Sequence, residues 1–479
     1  MNRYRHSWHF RICSVAVLLL SLIIVNSVWA QQTSSSASLS GRVEDASGAL
    51  VKGASVTVNN LETNSKHVCT CDDEGVFRFP YLTVGRYELD VAAPGFAVLR
   101  RQVTLTIGQA LDVPFKLDIE GITGTVNVSA DLPMLETGRS QVAERVLPHE
   151  MDSLPLNGRN YLDLAALTPG VTRSNPVANQ RFPETSAVPG AGLSVAGQRF
   201  INNGFVIDGL SANDDAGDLP GTFYSQEAIR EFEVITSGGT AQFGRASAGL
   251  VNIITQSGTN NYRGRLYGFF RNQRFDARNP LASTKDPLTQ AQYGVSFGGP
   301  IIRDRTFFFA NFEQTRLHNA TVITISPANV ASVNRKLDAL GHGGPPLSTG
   351  IVPTGFNTTN FLSRFDHLLS QSHQLTVRYA LYNLNSANSR NVGGLNAISR
   401  GTALRDSDHS IAISEVATPS SFTVNEARFQ YTRSHLDAPV NETLGPAVNI
   451  SGVASFGPAT FSPTRRDLNT FEFVETLTT

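Results

Sequence analysis

Cysteine, tryptophan and methionine are scarce in this 479-residue chain, at three, two and three residues. Both tryptophans, Trp8 and Trp29, lie in the first thirty residues, so none is left in the body of the chain. Without that leading segment only Cys69 and Cys71 remain. If His67–Asp73 is a strand, His67, Cys69, Cys71 and Asp73 alternate onto one face, a conceivable soft-metal site. Strand neighbours two apart are separated by about 7 Å. That is too far for an unstrained disulfide and awkward for a tetrahedral ion, so ordinary strand residues are expected.

Charge is also sparse. Charged residues make up 16% against the usual quarter, and the net charge is -1 without lysine–arginine blocks, which gives no reason to expect nucleic acid as a partner. The ten histidines are scattered, with no HExxH. Gly244–Gly249 (GRASAG) misses the spacing of a nucleophile elbow, and no GxxxxGK phosphate loop occurs. Gly190-Ala191-Gly192 lacks the third glycine of a dinucleotide site. Asp208, Asp214, Asp215 and Asp218 crowd one loop, yet no bidentate glutamate follows at EF-hand spacing, so acidic turn residues are expected. The reading is a non-enzyme with no cofactor and no metal.

Long apolar runs are limited to one. Arg3, Arg5 and Arg11 precede the apolar stretch Ile12–Val28, and Val28-Trp29-Ala30 offers a cut between Ala30 and Gln31. A transmembrane anchor is the alternative, but the run is at the short limit for a span of about 20 residues, and a polar serine tract follows at once. A cleaved secretory signal over residues 1–30 is the better reading. Glycine (40) and phenylalanine (28) are plentiful, which suits a β-rich protein with many turns.

Residues 38–118 read as a small antiparallel sandwich. Tyr87, Leu89 and Val91 alternate with Glu88, Asp90 and Ala92, and Val103, Leu105 and Ile107 alternate likewise. Val113–Leu117 closes the set, and turn signals recur about every ten residues. Gly75-Val76-Phe77, Leu82–Tyr87 and Pro94-Gly95-Phe96 resemble the carboxypeptidase regulatory-like domain. The resemblance implies a seven-stranded, transthyretin-like fold without peptidase activity. Some relatives bind carbohydrate, but no exposed Trp or Tyr platform is evident here, so a structural spacer is expected. Residues 119–139 form a linker.

Leu154–Val171 (LPLNGRNYLDLAALTPGV) is the most specific stretch: an extended Leu154-Pro155-Leu156, a turn at Asn157-Gly158, then Arg159, Asn160 and a short amphipathic helix. Leu162, Ala165, Ala166 and Leu167 supply its apolar face, and Pro169-Gly170 stops it. Further on, Phe205-Val206-Ile207 runs into an Asp208-Gly209 turn. Ile229–Ile235 is an apolar run broken by Gly238-Gly239, and Gly249–Thr255 returns as a strand. Glycines 238, 239, 244 and 249 allow close backbone approach in a body packed inside another structure. These three motifs, in this order, resemble the plug domain of TonB-dependent outer-membrane receptors, the Oar-like branch in particular, over residues 140–260. The resemblance implies that Leu154–Asn160, Asp208, Gly209, Gly244 and Gly249 are plug-motif residues. Thr123–Ser129 falls where that family often has a docking strand for the TonB-type energy-coupling protein; a plain linker strand fits it equally.

From residue 261 to 479 the texture becomes the dyad of a transmembrane barrel. Tyr293, Val295 and Phe297 alternate with Gln292, Gly294 and Ser296. Leu375–Leu381 and Ala427–Tyr431 alternate likewise. Arg303–Arg316 adds an aromatic strand suited to an interfacial girdle. Eight strands are expected, near 262–273, 290–299, 304–316, 358–367, 373–384, 407–418, 421–434 and 467–476. A plugged lumen needs about 22 strands, so this reads as the first part of a receptor. The expected fold is mainly β: a sandwich, an α/β plug and a partial antiparallel barrel. The expected role is uptake of an unidentified extracellular ligand at the cell outer membrane, with the sandwich in the periplasm. Implied partners are outer-membrane lipid, the coupling protein and the outer-membrane assembly machinery. Adhesion or carbohydrate binding at the cell surface, or a non-functional gene fragment, are the alternatives.

Overall fold

The computed structural model describes residues 35–119, 126–128, 141–156, 158–173, 192–214, 219–239, 244, 246–278, 285, 287–460 and 462–479. The signal segment with Ala30 and Gln31 lies outside the described residues, as do Asn157, Asp215 and Asp218. Strands take 59% and helices 9%, so the chain is mainly β.

The N-terminal unit is a two-sheet sandwich. Strand β1 (Ala37–Asp45) pairs with β4 (Val76–Leu82) and, in parallel, with β7 (Ala110–Asp112) and β8 (Phe115–Leu117). The facing sheet runs β3 (Lys66–Thr70), β2 (Ser55–Asn60), β5 (Gly85–Ala92), β6 (Leu99–Leu105), β9 (Val126–Val128). Alternation places Val56, Val58, Leu89 and Val91 in the core opposite Leu39, Val43 and Phe77. The expected closing strand Val113–Leu117 is shortened to Phe115–Leu117, because Pro114, with no N–H, interrupts the ladder, and a further short strand, β7, precedes it. Strand β3 stops at Thr70, so Asp73 sits in an exposed turn away from the supposed face. Cys69 and Cys71 are free and buried in the sandwich core, where burial pushes the Cys71 thiol up to about 11.

The central body holds a mixed five-stranded sheet in the order β10 (Val142–Val146), β17 (Ile229–Ser237), β18 (Leu250–Thr255), β13 (Gly204–Ile207), β14 (Leu210–Ser211). Strand β13 lies parallel to β18, while β17 and β18 are antiparallel. Two small ladders flank it, β11 (Val171–Arg173) with β12 (Leu193–Val195), and β15 (Asn213–Asp214) with β16 (Leu219–Pro220). Helix α1 (Pro148–Ser153) precedes the expected amphipathic helix, which is a 3₁₀ turn over Tyr161–Leu167. With three residues per turn, Tyr161 stacks above Leu164 and Leu162 above Ala165, and these four are buried. Ala166 and Leu167, assigned to the apolar face at α-helical spacing, are exposed instead. Thr168 takes the extended conformation that a following proline imposes.

The third unit is one antiparallel sheet of eight strands in sequence order: β19 (Arg263–Asn272), β20 (Leu288–Ile302), β21 (Thr306–Ile323), β22 (Gly350–Ser370), β23 (His373–Arg390), β24 (Thr402–Ser420), β25 (Thr423–Ala438) and β28 (Thr464–Thr478). A short ladder, β26 (Val448–Ile450) with β27 (Ala454–Phe456), interrupts the sequence before β28. The sheet is an open path with β19 and β28 at its ends. Val295, Phe297, Ile411, Ile413, Phe429, Phe471 and Phe473 are exposed on one face; Gln292, Asn311, Glu313, Asn360, Arg378 and Asp408 are buried on the other. This is the dyad expected of a lipid-facing wall. The run Phe307-Phe308-Phe309 does not form a girdle as a block. A period of two turns Phe307 and Phe309 inward and leaves Phe308 and the exposed Phe312 on the outer side.

Connections alternate in length. Short turns at 303–305, 371–372 and 421–422 lie at one end, and longer segments at 273–287, 324–349, 391–401 and 439–463 at the other. The sandwich stands at the short-turn end, where Asn64 Nδ2 donates to Asp304 at 2.8 Å. At the far end helix α2 (Pro327–Ala339) and β26–β27 pack round Ile323, Ile325, Val352 and Phe456. The central body and the wall share one core. Tyr161, Phe205, Ile207 and Phe232 are in the same buried cluster as Leu362, Tyr382, Leu404 and Leu436.

Candidate functional site

The seam between central body and wall is apolar at its middle and charged at its margins. Its densest polar point is the Asp208-Gly209 turn. Asp208 has a positive φ of 50°, and its carboxylate accepts from the Thr255 amide at 3.0 Å and the Thr255 hydroxyl at 2.8 Å. From the wall, Arg378 of β23 donates to it at 2.5 Å and Arg364 of β22 at 3.5 Å. Burial opposes ionisation of Asp208, but Arg378, Arg364 and the Thr255 bonds outweigh it and hold the carboxyl below its ordinary range. Arg364 is shared with Asp366 at 2.9 Å, and Arg378 also donates to Gln430 at 3.1 Å. Gly209 follows with φ 82°; a Cβ there would stand 2.8 Å from the Arg428 guanidinium, which pairs with Glu426 at 2.6 Å. A third wall arginine therefore passes directly beneath the turn, and only glycine leaves it room.

The Leu154–Asn160 stretch makes a second contact, to β19. Leu154, Pro155 and Gly158 are exposed, while Leu156 packs against the shared core. Arg159, at φ 52°, pairs with Glu227 at 2.6 Å and lies 4.5 Å from the Phe269 ring centre and 5.3 Å from that of Tyr267. Arg265 of β19 answers with Asp152 at 2.8 Å and Glu227 at 3.0 Å. Asn160 serves the fold: its side chain accepts from the Leu162 amide at 3.1 Å and caps the 3₁₀ turn. Gly249 packs on Val195, where a Cβ would stand 2.6 Å from the valine side chain, and Gly244 is exposed.

The expected residues thus fall at three places. Asp208 and Gly209 reach β22, β23 and β25, Arg159 reaches β19, and Gly249 and Asn160 stay within the central body. The acidic loop divides between arginines: Asp208 is held by Arg378, and Asp214 by Arg466 of β28 at 2.6 Å. Sequence reasoning did not single out Arg364, Arg378, Arg428 or Arg466. The usable signal was a charged residue at an inward position of a dyad strand, as Arg378 is between Val377 and Tyr379.

A third contact joins the sandwich to the central body. Arg230 of β17 pairs with Glu62 at 2.8 Å, and the Asn260 amide donates to the Glu62 carbonyl at 2.9 Å. The Ile107 amide donates to Glu231, and Arg145 donates to the Ile107 carbonyl at 2.9 Å. Val84, Ile107 and Ile254 form a small apolar cluster between them. Burial raises the Glu231 carboxyl to about 7, against the pull of Arg230 and the Ile107 bond.

Comparison with known proteins agrees with this architecture. Residues 254–336 and 348–479 match the outer membrane beta barrel domain, and residues 38–118 match the carboxypeptidase regulatory-like domain. The chain is 23% identical over 365 residues to the TonB-dependent transporter Oar of Myxococcus xanthus, covering 72% of this chain and 32% of that protein. It therefore spans about a third of the length of that curated relative. Among solved structures, the outer membrane transporter YddB from Escherichia coli superposes with a TM-score of 0.50 at 13% identity, over 70% of this chain and 45% of that one. The siderophore receptor PirA from Acinetobacter baumannii gives 0.44 at 17% identity, over 70% and 44%.

Proposed function

We propose that this chain, a homologue of the TonB-dependent transporter Oar that carries an outer membrane β-barrel domain and a carboxypeptidase regulatory-like domain, is the gated N-terminal portion of an outer-membrane uptake receptor. In this reading residues 140–260 are the plug, and residues 261–479 begin the barrel that it occludes. A signal removed between Ala30 and Gln31 directs export, the sandwich is periplasmic, and an unidentified ligand enters from the long-loop side. The observation that carries the reading is the Asp208 turn held by Arg364 and Arg378. A plug held to its wall by side-chain contacts, an apolar core bordered by ion pairs, can be drawn away by force without breaking the wall's own backbone ladder. The neighbouring Arg159 contact to Tyr267 and Phe269 adds a second fastening of the same kind.

Energy would come from a TonB-type partner acting on the segment ahead of the plug. Val126–Val128 pairs in parallel with Leu99–Arg101 at the sandwich edge, so a partner adding to this segment would compete with that edge. Thr123–Ser129 otherwise falls mostly outside the described residues. The test uses the native cell. The protein is expected in the outer-membrane fraction, and deletion of residues 123–130 is expected to abolish energised uptake while leaving the protein in that fraction. Uptake unchanged by the deletion would favour the adhesion role instead.

A further inference from the structure

Beside the Asp208 latch, the seam opens into a cavity of about 520 Å³ between the central body and strands β24, β25 and β28. Three carboxylates line it, Asp214, Asp408 and Glu472, and among the described lining residues there is no lysine, arginine or histidine. Asp214 is held by Arg466 at 2.6 Å, and Glu472 accepts from the Ser211 amide at 3.0 Å. Asp408 differs from both. It is 1% exposed, and neither of its carboxylate oxygens has a hydrogen-bond partner. Asp406, two residues earlier and on the same inward face of β24, is 3% exposed and is the nearest carboxyl to Asp408, so the two form a buried acidic pair beside the Ser434 hydroxyl.

Two adjacent buried carboxylates are costly as a pair of charges, and the cost is relieved when they share a proton or when something positive and hydrogen-bonding completes them. The remaining lining is rich in acceptors, with the hydroxyls of Ser410, Thr432 and Ser434 and the amide of Gln430 beside Asp408. Among the described residues no three His, Cys, Asp or Glu side chains converge closely enough to hold a metal ion. An ammonium group, with three donors directed at scattered oxygens, suits this geometry better than a metal that needs converging ligands. We infer that the cavity is a binding site for an organic cation, a ligand carrying a primary ammonium group that is seated against Asp408. The inference rests on the receptor reading and adds a class of cargo to it. A low-dielectric cleft of one charge sign concentrates ions of the other, so the same lining disfavours anionic ligands.

The test is calorimetric titration of the purified full chain in detergent micelles with spermidine, with citrate and calcium chloride as controls. Spermidine is expected to bind and to raise the melting temperature, and citrate to give no heat. Asp408→Asn should weaken spermidine about tenfold, the loss of one charge-assisted hydrogen bond. Because it removes an unpartnered charge, Asp408→Asn should melt no lower than the wild type without ligand. Ser410→Lys, which supplies an internal ammonium from the next inward position, should also block binding. Spermidine heats that are absent, or unchanged in both variants, would overturn the inference, as would calcium binding in their place. The titration uses unenergised protein, so spermidine binding without energised uptake refutes the receptor reading alone. Energised uptake without spermidine binding refutes the cation site alone.

Discussion

At the residue scale, two carboxylates behave in opposite ways because their neighbours differ. Asp208 is buried but faces two guanidinium groups, so its carboxyl lies below the ordinary range. Its stabilising contribution is present above the ordinary carboxylate pKa and is lost as pH falls through the lowered value. Asp208→Asn leaves Arg378, 2% exposed, without its carboxylate, facing the neutral Gln430 and the Tyr224 ring. Removing one partner of a buried pair costs about 3–5 kcal/mol, so denaturant unfolding in micelles should show a loss of that order. Glu231 is buried with a raised carboxyl, at about 7. A carboxyl raised in the fold holds its proton where the unfolded chain has released it, so stability falls as pH rises from the ordinary value to about 7. The loss is roughly 3 kcal/mol, the cost of ionising a buried carboxyl, even though the Ile107 amide and Arg230 favour the charged form. Glu231→Gln should flatten the melting-temperature difference between pH 5 and pH 8; an unaltered difference would remove Glu231 from the account.

At the element scale, the parts that sequence made legible are those set by short-range periodicity. The eight wall strands fall where alternation places them because a period of two is imposed by the pleat itself. Their lengths exceed the alternating cores: β22 begins at Gly350, well before the expected 358, since the hydrogen-bond ladder continues after the apolar dyad stops. The helix type was not legible, because seven residues carry too little pattern to separate 3.6 from 3.0 per turn. The cap emerges only in the structure, where Asn160 accepts from the Leu162 amide, and Asn160→Ala should cost about 1 kcal/mol. Gly209 shows the limit of such reading. Its turn is evident from the sequence, but the arginine beneath it is 219 residues away in the chain and could not be paired with it from pattern alone. Gly209→Ala should destabilise the seam through both a left-handed backbone and the 2.8 Å approach to Arg428, and a melting temperature equal to that of the wild type would contradict this.

At the scale of the whole molecule, the three units meet at seams of different character, and the sandwich also touches the wall directly, through Asn64 and Asp304. The sandwich joins the central body through a few polar bonds and a three-residue apolar cluster. The central body joins the wall through a shared core bordered by ion pairs. Long-range pairs of this kind, 156 and 170 residues apart for Asp208, carry no local signal, and so the seam had to be found in three dimensions. The account's central claim is that Asp208 and Arg378 fasten the central body to the wall. A double-mutant cycle tests it most directly, comparing Asp208→Asn, Arg378→Gln and the double variant by denaturant unfolding in micelles. The predicted coupling energy is about 2 kcal/mol, in the range for residues in direct contact. A coupling within about 0.5 kcal/mol of zero, as for independent sites, would contradict it.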